Sequence, residues 1–376
     1  MTEQLFSFLG ALIDQTGLAR FWWGNVVMIA IGCVMIYLAI SKRYEPLLLV
    51  GIGFSCIISN VPGSGLIQPG GLFYYAYQGV ALLVVPPLIF FGVGAMTDFA
   101  PMIANPRLVL LGAAAHLGIF VALIGAKMLG FTIKESGAIG IIGGADGPMA
   151  IFITVKLAPH LLPQISVAAY SYMALMPLIQ PPVMKLLTTR KERLIRMRQS
   201  RQVTRLEKIA FPIVIGIIVN LFFPPVAPLI TMLMLGNLFR EALVVDRLAK
   251  TAANDLMNVI IILLTVAIGS TMSADSFLTF KTIEIVVLGL IAFVFGTGSG
   301  VIGAKIMNLF LKEKINPLLG SAGIASVPIA ARVSHNVALQ DDKENYLIYH
   351  AMGPNLAGVF GTAISGGIML ALLGVK

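Results

Sequence analysis

The stretch Gly143-Gly144-Ala145-Asp146-Gly147-Pro148 lies in the middle of a long apolar segment, 136–157. The glycines and the proline interrupt a helix there and leave backbone carbonyl groups without helical partners. A carboxylate inside a membrane segment is costly, so Asp146 is a candidate functional group. Oxygen ligands suit small hard cations such as Na⁺, and transporters place ion sites where a membrane helix is broken. The alternative is a kinked helix with a buried, protonated aspartic acid.

The composition indicates a membrane protein. The 376 residues are 58% hydrophobic and 11% charged, with a mean hydropathy of +0.92, whereas a soluble protein carries about 25% charged residues. Because the apolar runs are long rather than alternating, we predict an all-α polytopic membrane protein and exclude an outer-membrane barrel. The net charge of +9 comes from basic residues beside the apolar runs, which favours a topology signal over nucleic-acid binding. We expect a multi-pass protein of the inner (cytoplasmic) membrane.

About ten transmembrane helices are predicted, since about 20 apolar residues cross a bilayer. The expected spans are 24–40, 46–60, 75–96, 108–130, 162–187, 209–223, 226–243, 254–273, 282–311 and 345–374. Two further apolar stretches are interrupted by Gly and Pro. We call 136–157 the first broken segment and 315–333 the second broken segment.

Six parts follow along the chain. They are an amphipathic N-terminal segment (1–20), N-terminal spans (21–74), a first repeat (75–187), a basic loop (188–208), connecting spans (209–253) and a second repeat (254–376). The basic loop holds eight lysines and arginines against two glutamates, and the positive-inside rule predicts that it is cytoplasmic. Two interpretations of these charges are open. They serve only as a topology signal, or the loop also docks an acidic partner.

An internal repeat is visible in the sequence. Ile124-Gly-Ala-Lys-Met128 precedes the first broken segment, and Ile302-Gly-Ala-Lys-Ile306 precedes the second. Aligning Pro148 of the first broken segment with Pro328 of the second places Ser326 opposite Asp146. If each broken segment enters and returns on one side, the repeats are inverted and the two tips meet near the midplane, as in many secondary transporters. If the segments cross fully, the repeats are parallel.

Neutral oxygen atoms accompany Asp146 as candidate cation ligands. Asn355 lies in the interrupted stretch Met352-Gly-Pro-Asn-Leu-Ala-Gly358, and Ser326 and Asn336 add further oxygens. One carboxylate with neutral oxygens leaves no large excess charge around a Na⁺ ion. Each Asn or Ser also has an ordinary use as a hydrogen bond between helices.

Two other residue types are candidates for the chemistry. Tyr170 and Tyr172 precede Pro177, and a phenol in a membrane cavity can pass on a proton, although tyrosine is also a common packing residue. Arg332 lies at the end of the second broken segment. An arginine there can hold a carboxylate in bidentate fashion, or it can extend to the membrane surface as a simple end-of-segment charge.

Five motifs together resemble those of a known family, the β subunits of biotin-dependent, sodium-pumping decarboxylases. The family includes oxaloacetate, methylmalonyl-CoA and glutaconyl-CoA decarboxylases. The motifs are Pro86-Pro-Leu-Ile-Phe-Phe-Gly-Val-Gly-Ala-Met-Thr-Asp-Phe99, Gly143-Gly-Ala-Asp-Gly-Pro148, Ala168-Ala-Tyr-Ser-Tyr-Met-Ala-Leu175, Leu178-Ile-Gln-Pro-Pro182 and His350-Ala-Met-Gly-Pro-Asn355.

The resemblance implies a function in a complex. A carboxyltransferase α subunit moves CO₂ from the substrate to biotin on a carrier subunit. The β subunit then decarboxylates carboxybiotin, exports Na⁺ and consumes a proton. We expect these two partners, a small membrane subunit and a homo-oligomer. The short chain favours the acyl-CoA members, and the alternative function is a Na⁺-coupled secondary transporter or antiporter without an enzymatic step.

The resemblance also implies roles for individual residues. Asp146, Tyr172 and Arg332 are the expected catalytic residues. The expected carboxybiotin-binding residues are Arg332, Asn316, Gly320 and Ser326. The expected Na⁺ ligands are Asp146, Asn336, Asn355 and Ser326, with His335 as the alternative to Asn336.

Overall fold

The computed structural model describes residues 16–374, which form helices and connecting turns without a strand. The helices of seven or more residues are Trp23–Ser41, Pro46–Ser59, Leu72–Ala81, Val85–Met96, Val109–Ala115, Leu117–Met128, Ile133–Gly140, Gly147–Leu157, Leu162–Leu187, Arg205–Phe222, Ala227–Ala242, Met257–Ser270, Phe280–Phe310, Ile329–Asp341 and Ile348–Leu372. Of the predicted amphipathic segment 1–20, residues 1–15 lie outside the described range, and Gly17–Arg20 forms a 3₁₀ turn.

The described residues contain fewer candidate spans than the sequence predicts. Five helical stretches are long and apolar enough to cross a membrane, or up to seven if each of two bent helix pairs counts as one span. The prediction of about ten counted shorter helices as full spans. Pro46–Ser59 has 14 residues and Ala227–Ala242 has 16, below the length that spans a bilayer upright. Arg205–Phe222 carries three charged residues in its first turn.

The chain divides into two compact units. The first contains Met1–Val85 and Asn258–Ile283. Within it, helices Trp23–Ser41 and Pro46–Ser59 approach closely at glycines, because a Cβ on Gly32 would lie 2.7 Å from the Gly53 carbonyl oxygen. Small residues at such contacts are typical of membrane helix pairs.

A buried asparagine joins two parts of the first unit. The Nδ2 of Asn60 donates to the carbonyl of Met272 at 2.7 Å, and its Oδ1 accepts from the Ala274 amide at 2.9 Å. Nothing in the sequence analysis singled out Asn60. These hydrogen bonds satisfy backbone groups where helix Met257–Ser270 ends.

The second unit contains Pro86–Met257 and Glu284–Lys376, and it holds both broken segments. Its helices also pack through glycines: a Cβ on Gly320 would lie 1.9 Å from the carbonyl oxygen of Gly300. One cluster of buried apolar residues lies beside the basic loop, and Met197 of that loop packs against it. Its members include Leu108, Leu111, Met184, Val301, Leu318, Leu319, Val337 and Leu347.

Candidate ion site at the crossing of the broken segments

The first broken segment is interrupted at its centre, as the sequence predicts. Helix Ile133–Gly140 continues into a 3₁₀ turn, Ile141–Gly144, and a new helix begins at Gly147. Ala145 has a left-handed backbone with φ of +51°, a conformation that a non-glycine residue adopts rarely. The chain therefore turns sharply one residue before Asp146.

Asp146 is buried at this turn and caps the helix that follows. Its side chain is 5% exposed, and its Oδ1 accepts a hydrogen bond from the Met149 amide at 3.0 Å. An aspartate at a helix N-cap is stabilised by the free amides and by the positive end of the helix dipole. The hydrogen bond from Met149 therefore fixes the orientation of the Asp146 carboxylate.

Tyr170 is the aromatic residue that lies against this turn. A Cβ on Gly147 would lie 2.9 Å from the Tyr170 Oη. Tyr170 is 3% exposed, and its hydroxyl has no hydrogen-bond partner within residues 16–374. A buried hydroxyl without a partner costs free energy, so this oxygen is available to a ligand.

The second broken segment has the same order of helix, break and helix. The short helix Leu318–Ser321 is followed by the turn 322–328 and by helix Ile329–Asp341, which extends beyond the predicted end at 333. Ser326 is buried in the turn, with its Oγ 3.0 Å from the sulfur of Met176. The break therefore places a second buried oxygen in an irregular stretch of chain.

The two broken segments touch each other at their breaks. The Ala325 amide donates to the Gly144 carbonyl at 3.0 Å, and Ala145 packs in one cluster with Ile324 and Ala330. We call this contact the crossing. Because Ser326 follows Ala325 and Asp146 is two residues after Gly144, the crossing brings together the two positions that the sequence alignment placed opposite each other.

Asn355 links a third helix to the crossing by hydrogen bonds. It lies in helix Ile348–Leu372, is 0% exposed, and donates from Nδ2 to the carbonyls of Ala322 (3.0 Å) and Ile324 (2.7 Å). Its Oδ1 is buried without a hydrogen-bond partner in the described part of the chain. The two donated bonds fix the orientation of the amide, so the unpartnered oxygen is held in place as a potential cation ligand.

A histidine and a threonine form a further polar layer that the sequence analysis missed. A Cβ on Gly144 would lie 2.9 Å from the Thr362 Oγ1, and that oxygen is 2.8 Å from the His116 Nε2. His116 Nδ1 lies 2.5 Å from the carbonyl of Gly112. The available signal was a lone imidazole within the apolar run of a predicted span, which is uncommon and marks a polar contact.

Other predicted site residues lie elsewhere in the second unit. Tyr172 donates its hydroxyl to the Val286 carbonyl. Arg332 and Asn336 are on the exposed side of helix Ile329–Asp341, whereas Ser334 of that helix is buried. The structure thus gathers Asp146, Ser326 and Asn355 around the crossing, and it does not bring the side chains of Arg332 and Asn336 into that group.

Asn316 and Gly320 mark the start of the second broken segment. Asn316 donates from Nδ2 to the carbonyls of Arg193 (2.8 Å) and Ile195 (2.9 Å), both in the basic loop. Gly320 is the close-packed glycine that contacts Gly300. Both residues have structural uses, and their expected roles with carboxybiotin stay predictions.

Known proteins are similar to this chain along nearly its whole length. A family model described as the Na⁺-transporting oxaloacetate decarboxylase beta subunit matches residues 24–373. The chain is 56% identical over 368 residues to the glutaconyl-CoA decarboxylase subunit beta of Acidaminococcus fermentans, covering 98% of each chain. It is 54% identical over 363 residues to the methylmalonyl-CoA decarboxylase subunit beta of Veillonella parvula, covering 96% of this chain and 97% of the relative.

A third relative comes from the oxaloacetate branch. The oxaloacetate decarboxylase beta chain of Klebsiella pneumoniae is 46% identical over 424 aligned positions, covering 96% of this chain and 98% of the relative. The resemblance inferred from the five motifs is confirmed, and so is the assignment to the membrane. The chain belongs to the family of Na⁺-transporting decarboxylase beta subunits.

Proposed function

We propose that this β subunit decarboxylates carboxybiotin delivered by a separate carrier subunit and uses the crossing as the site of the exported Na⁺. The observation that carries the proposal is the 3.0 Å hydrogen bond from the Ala325 amide to the Gly144 carbonyl. It joins the break that holds the buried Asp146 to the break that holds Ser326. Membership of a Na⁺-transporting decarboxylase family favours this function over that of a transporter without an enzymatic step.

The ion ligands proposed here are one carboxylate and several neutral oxygens. Asp146 supplies the negative charge, while Ser326 Oγ and the unpartnered Asn355 Oδ1 supply neutral oxygens. Tyr170 adds a fourth oxygen that the sequence analysis did not assign to the ion. Such a set suits a monovalent hard cation, because it neutralises the ion without excess charge. Asn336 remains a predicted ligand. Because it is on the exposed side of helix Ile329–Asp341, that helix would have to move before Asn336 could join the other ligands.

Coupling follows from the competition between a proton and Na⁺ for Asp146. Decarboxylation breaks the N–C bond of carboxybiotin, releases CO₂ and places a proton on the biotin nitrogen. A proton that enters the site displaces Na⁺ from Asp146. It is then transferred to the biotin nitrogen, with Tyr172 as the predicted proton relay. Exporting one Na⁺ against the membrane potential costs about 2.3 kcal/mol per 100 mV, and the decarboxylation must supply that free energy.

Arg332 is the proposed holder of the carboxylate of carboxybiotin. Its guanidinium is exposed and forms no ion pair or hydrogen bond with residues 16–374. A guanidinium can bind a carboxylate through two parallel hydrogen bonds. Transfer of the carboxylate from this cation to a drier pocket favours the loss of CO₂.

The proposed architecture is a pair of inverted repeats. The helix–break–helix order occurs in both broken segments, and the crossing is what two re-entrant tips entering from opposite sides would produce. The basic loop then faces the cytoplasm. The first broken segment enters from outside and the second from inside.

The proposed partners are a biotin carrier, a carboxyltransferase α subunit and a small membrane subunit, within a homo-oligomeric assembly. The name "subunit beta" of the relatives supports a multi-subunit complex. Identities of 56% and 54% to acyl-CoA decarboxylase subunits, against 46% to an oxaloacetate decarboxylase chain, support an acyl-CoA substrate for the complex.

The test is a reconstituted complex in sealed vesicles, in which CO₂ release from carboxylated carrier and ²²Na⁺ uptake are measured together. Asp146→Asn should abolish both signals while the carboxyltransferase half-reaction is retained. Asp246→Asn is the matched control, because Asp246 is exposed and pairs with Lys250. Full Na⁺-dependent activity in Asp146→Asn would remove Asp146 as the ligand.

A further inference from the structure

The basic loop is packed onto the second broken segment by paired asparagines. Asn316 and Asn345 both donate to the carbonyls of Arg193 and Ile195, at distances of 2.8 to 3.3 Å. The side chain of Arg193 pairs with Asp341 at 2.5 Å. This stretch of the loop is therefore a fixed part of the second unit, and the surface it forms has a defined shape.

A cavity of about 600 Å³ opens beside this part of the loop. Four buried or half-buried apolar residues belong to its lining, and we call them the floor: Leu108, Met307, Leu311 and Ile315. Its volume lies within the range of sites that bind small molecules, which is roughly 300–1,000 Å³. The next residue after Ile315 is Asn316, so the cavity lies where the chain enters the second broken segment.

The rim of the cavity carries an excess of positive charge. Six cations line it, against the single carboxylate of Glu313. The cations are Arg107, Arg196, Arg198, Arg201, Lys312 and Lys314. The members of such a cluster that lack an acidic partner attract an anion.

Three of the six cations already have acidic partners. Arg196 pairs with Asp342 at 2.7 Å, Arg198 with Glu313 at 2.5 Å, and Arg201 with Glu207 at 2.7 Å. The Arg201 guanidinium holds the pKa of the Glu207 carboxyl down to about 2, together with hydrogen bonds from Thr204. Arg201 is thus occupied at neutral pH, and its charge is not available to a ligand.

The other three cations are available. Arg107, Lys312 and Lys314 are exposed and form no ion pair with any residue in the described range 16–374. We call these three residues the free rim. A ligand that fits must place a negative charge at the free rim and an apolar body over the floor.

We propose that this cavity is the first docking site of the carboxylated biotin, with its carboxylate held by the free rim and its fused rings on the apolar floor. The inference rests on the proposed function and extends it by assigning the site where this substrate arrives. From here the chain continues through Asn316 and Gly320 to Ser326, so the docking site and the crossing belong to one continuous segment. The small apolar floor favours this occupant over an extended acidic segment of the carrier.

The test compares two triple variants that each remove three positive charges. Arg107→Gln/Lys312→Gln/Lys314→Gln removes all three positive charges of the free rim. Lys42→Gln/Lys127→Gln/Lys134→Gln is the matched control, because these lysines are exposed and do not line the cavity. Each β-subunit variant is placed in nanodiscs of phosphatidylcholine alone, which excludes competition by anionic lipids. The probe is the full-length carrier subunit, in carboxylated and uncarboxylated form.

The free-rim variant should bind the carboxylated carrier about tenfold more weakly, which corresponds to ~1.4 kcal/mol. It should bind the uncarboxylated carrier as the wild type does, and the control should preserve both affinities. KM for the carboxylated carrier should rise by the same factor with kcat within twofold, which a general folding defect would not produce.

Two results would overturn the assignment. Equal weakening for both carrier forms would show that an acidic surface of the carrier docks here instead. Unchanged affinities would show that the cavity takes no part in docking. Failure of the wild-type complex to decarboxylate the carrier is a separate outcome, which would reject the proposed function itself.

Discussion

The Ala325 amide donates to the Gly144 carbonyl at 3.0 Å and thereby ties the breaks of two distant membrane segments to each other. Each break frees backbone groups that cannot find partners in lipid. At the crossing, one broken segment supplies a donor and the other an acceptor. The two interruptions therefore compensate each other, while side-chain oxygens around them stay available to an ion.

The structure distinguishes Tyr170 from Tyr172, two residues apart. Tyr170→Phe should weaken the apparent affinity for Na⁺ about fivefold, because one neutral oxygen worth about 1 kcal/mol is lost from the site. Tyr172→Phe should leave that affinity unchanged, since the Tyr172 hydroxyl is already bonded to Val286. The measurement is the Na⁺ dependence of decarboxylation. The opposite pattern would support Tyr172 as the functional tyrosine that the family resemblance implies.

Asn355 should tolerate no acidic replacement. In Asn355→Asp, a carboxylate oxygen would face the carbonyls of Ala322 and Ile324 in place of an amide donor. Loss of two hydrogen bonds at about 1 kcal/mol each should lower the midpoint of thermal unfolding. Asn254→Asp is the control, since Asn254 also donates to a backbone carbonyl, that of Lys250 at 2.8 Å, but is exposed to solvent. An unchanged midpoint in Asn355→Asp would contradict the role of Asn355 as a fastener of the crossing.

A methyl group at Gly320 should destabilise the protein. The new Cβ would lie 1.9 Å from the Gly300 carbonyl oxygen, and overpacking of this kind costs about 1–3 kcal/mol. Gly216→Ala is the matched control, because its Cβ would be no closer than 3.7 Å to Met234 and alanine favours a helix by about 0.5–1 kcal/mol. Thermal unfolding in detergent measures both. A stable Gly320→Ala variant that has lost decarboxylation would instead favour the predicted role in binding carboxybiotin.

Cysteine labelling should show the two repeats to be inverted. Lys134 precedes the break in the first broken segment, and Lys314 precedes the second broken segment. In a background without Cys33 and Cys56, Lys134→Cys should react with an impermeant maleimide from outside and Lys314→Cys from inside. Intact, oriented vesicles provide the assay, with lysed vesicles as the control. Reaction of both residues from one side would establish parallel repeats.

The breaks were predictable from sequence because their causes are local. Gly143, Gly144 and Pro148 disrupt a helix wherever they occur together, and the first broken segment is interrupted at these residues. Pro328 marks the second break in the same way. Asp146 could be selected as a candidate functional residue because a carboxylate in an apolar run is costly.

The contacts across the crossing were not predictable, because they depend on packing between distant parts of the chain. The sequence gives Tyr170 and Tyr172 the same local pattern, and only the fold places Tyr170 against Gly147. The layer of His116 and Thr362 joins residues 246 positions apart. The number of spans was overestimated for a related reason: hydropathy detects apolar runs, but the turns that shorten helices such as Pro46–Ser59 depend on their surroundings.

Asn316 and Asn345 hold the same two carbonyls of the basic loop from either side of helix Ile329–Asp341. The last residue of that helix, Asp341, also pairs with Arg193 of the loop at 2.5 Å, so a tilt of the helix pulls on the loop. A fluorophore attached to the loop at the exposed Arg190 would then report, from the aqueous phase, on motion that begins deep in the bilayer. Transport cycles of single molecules become observable without placing any probe near the ion.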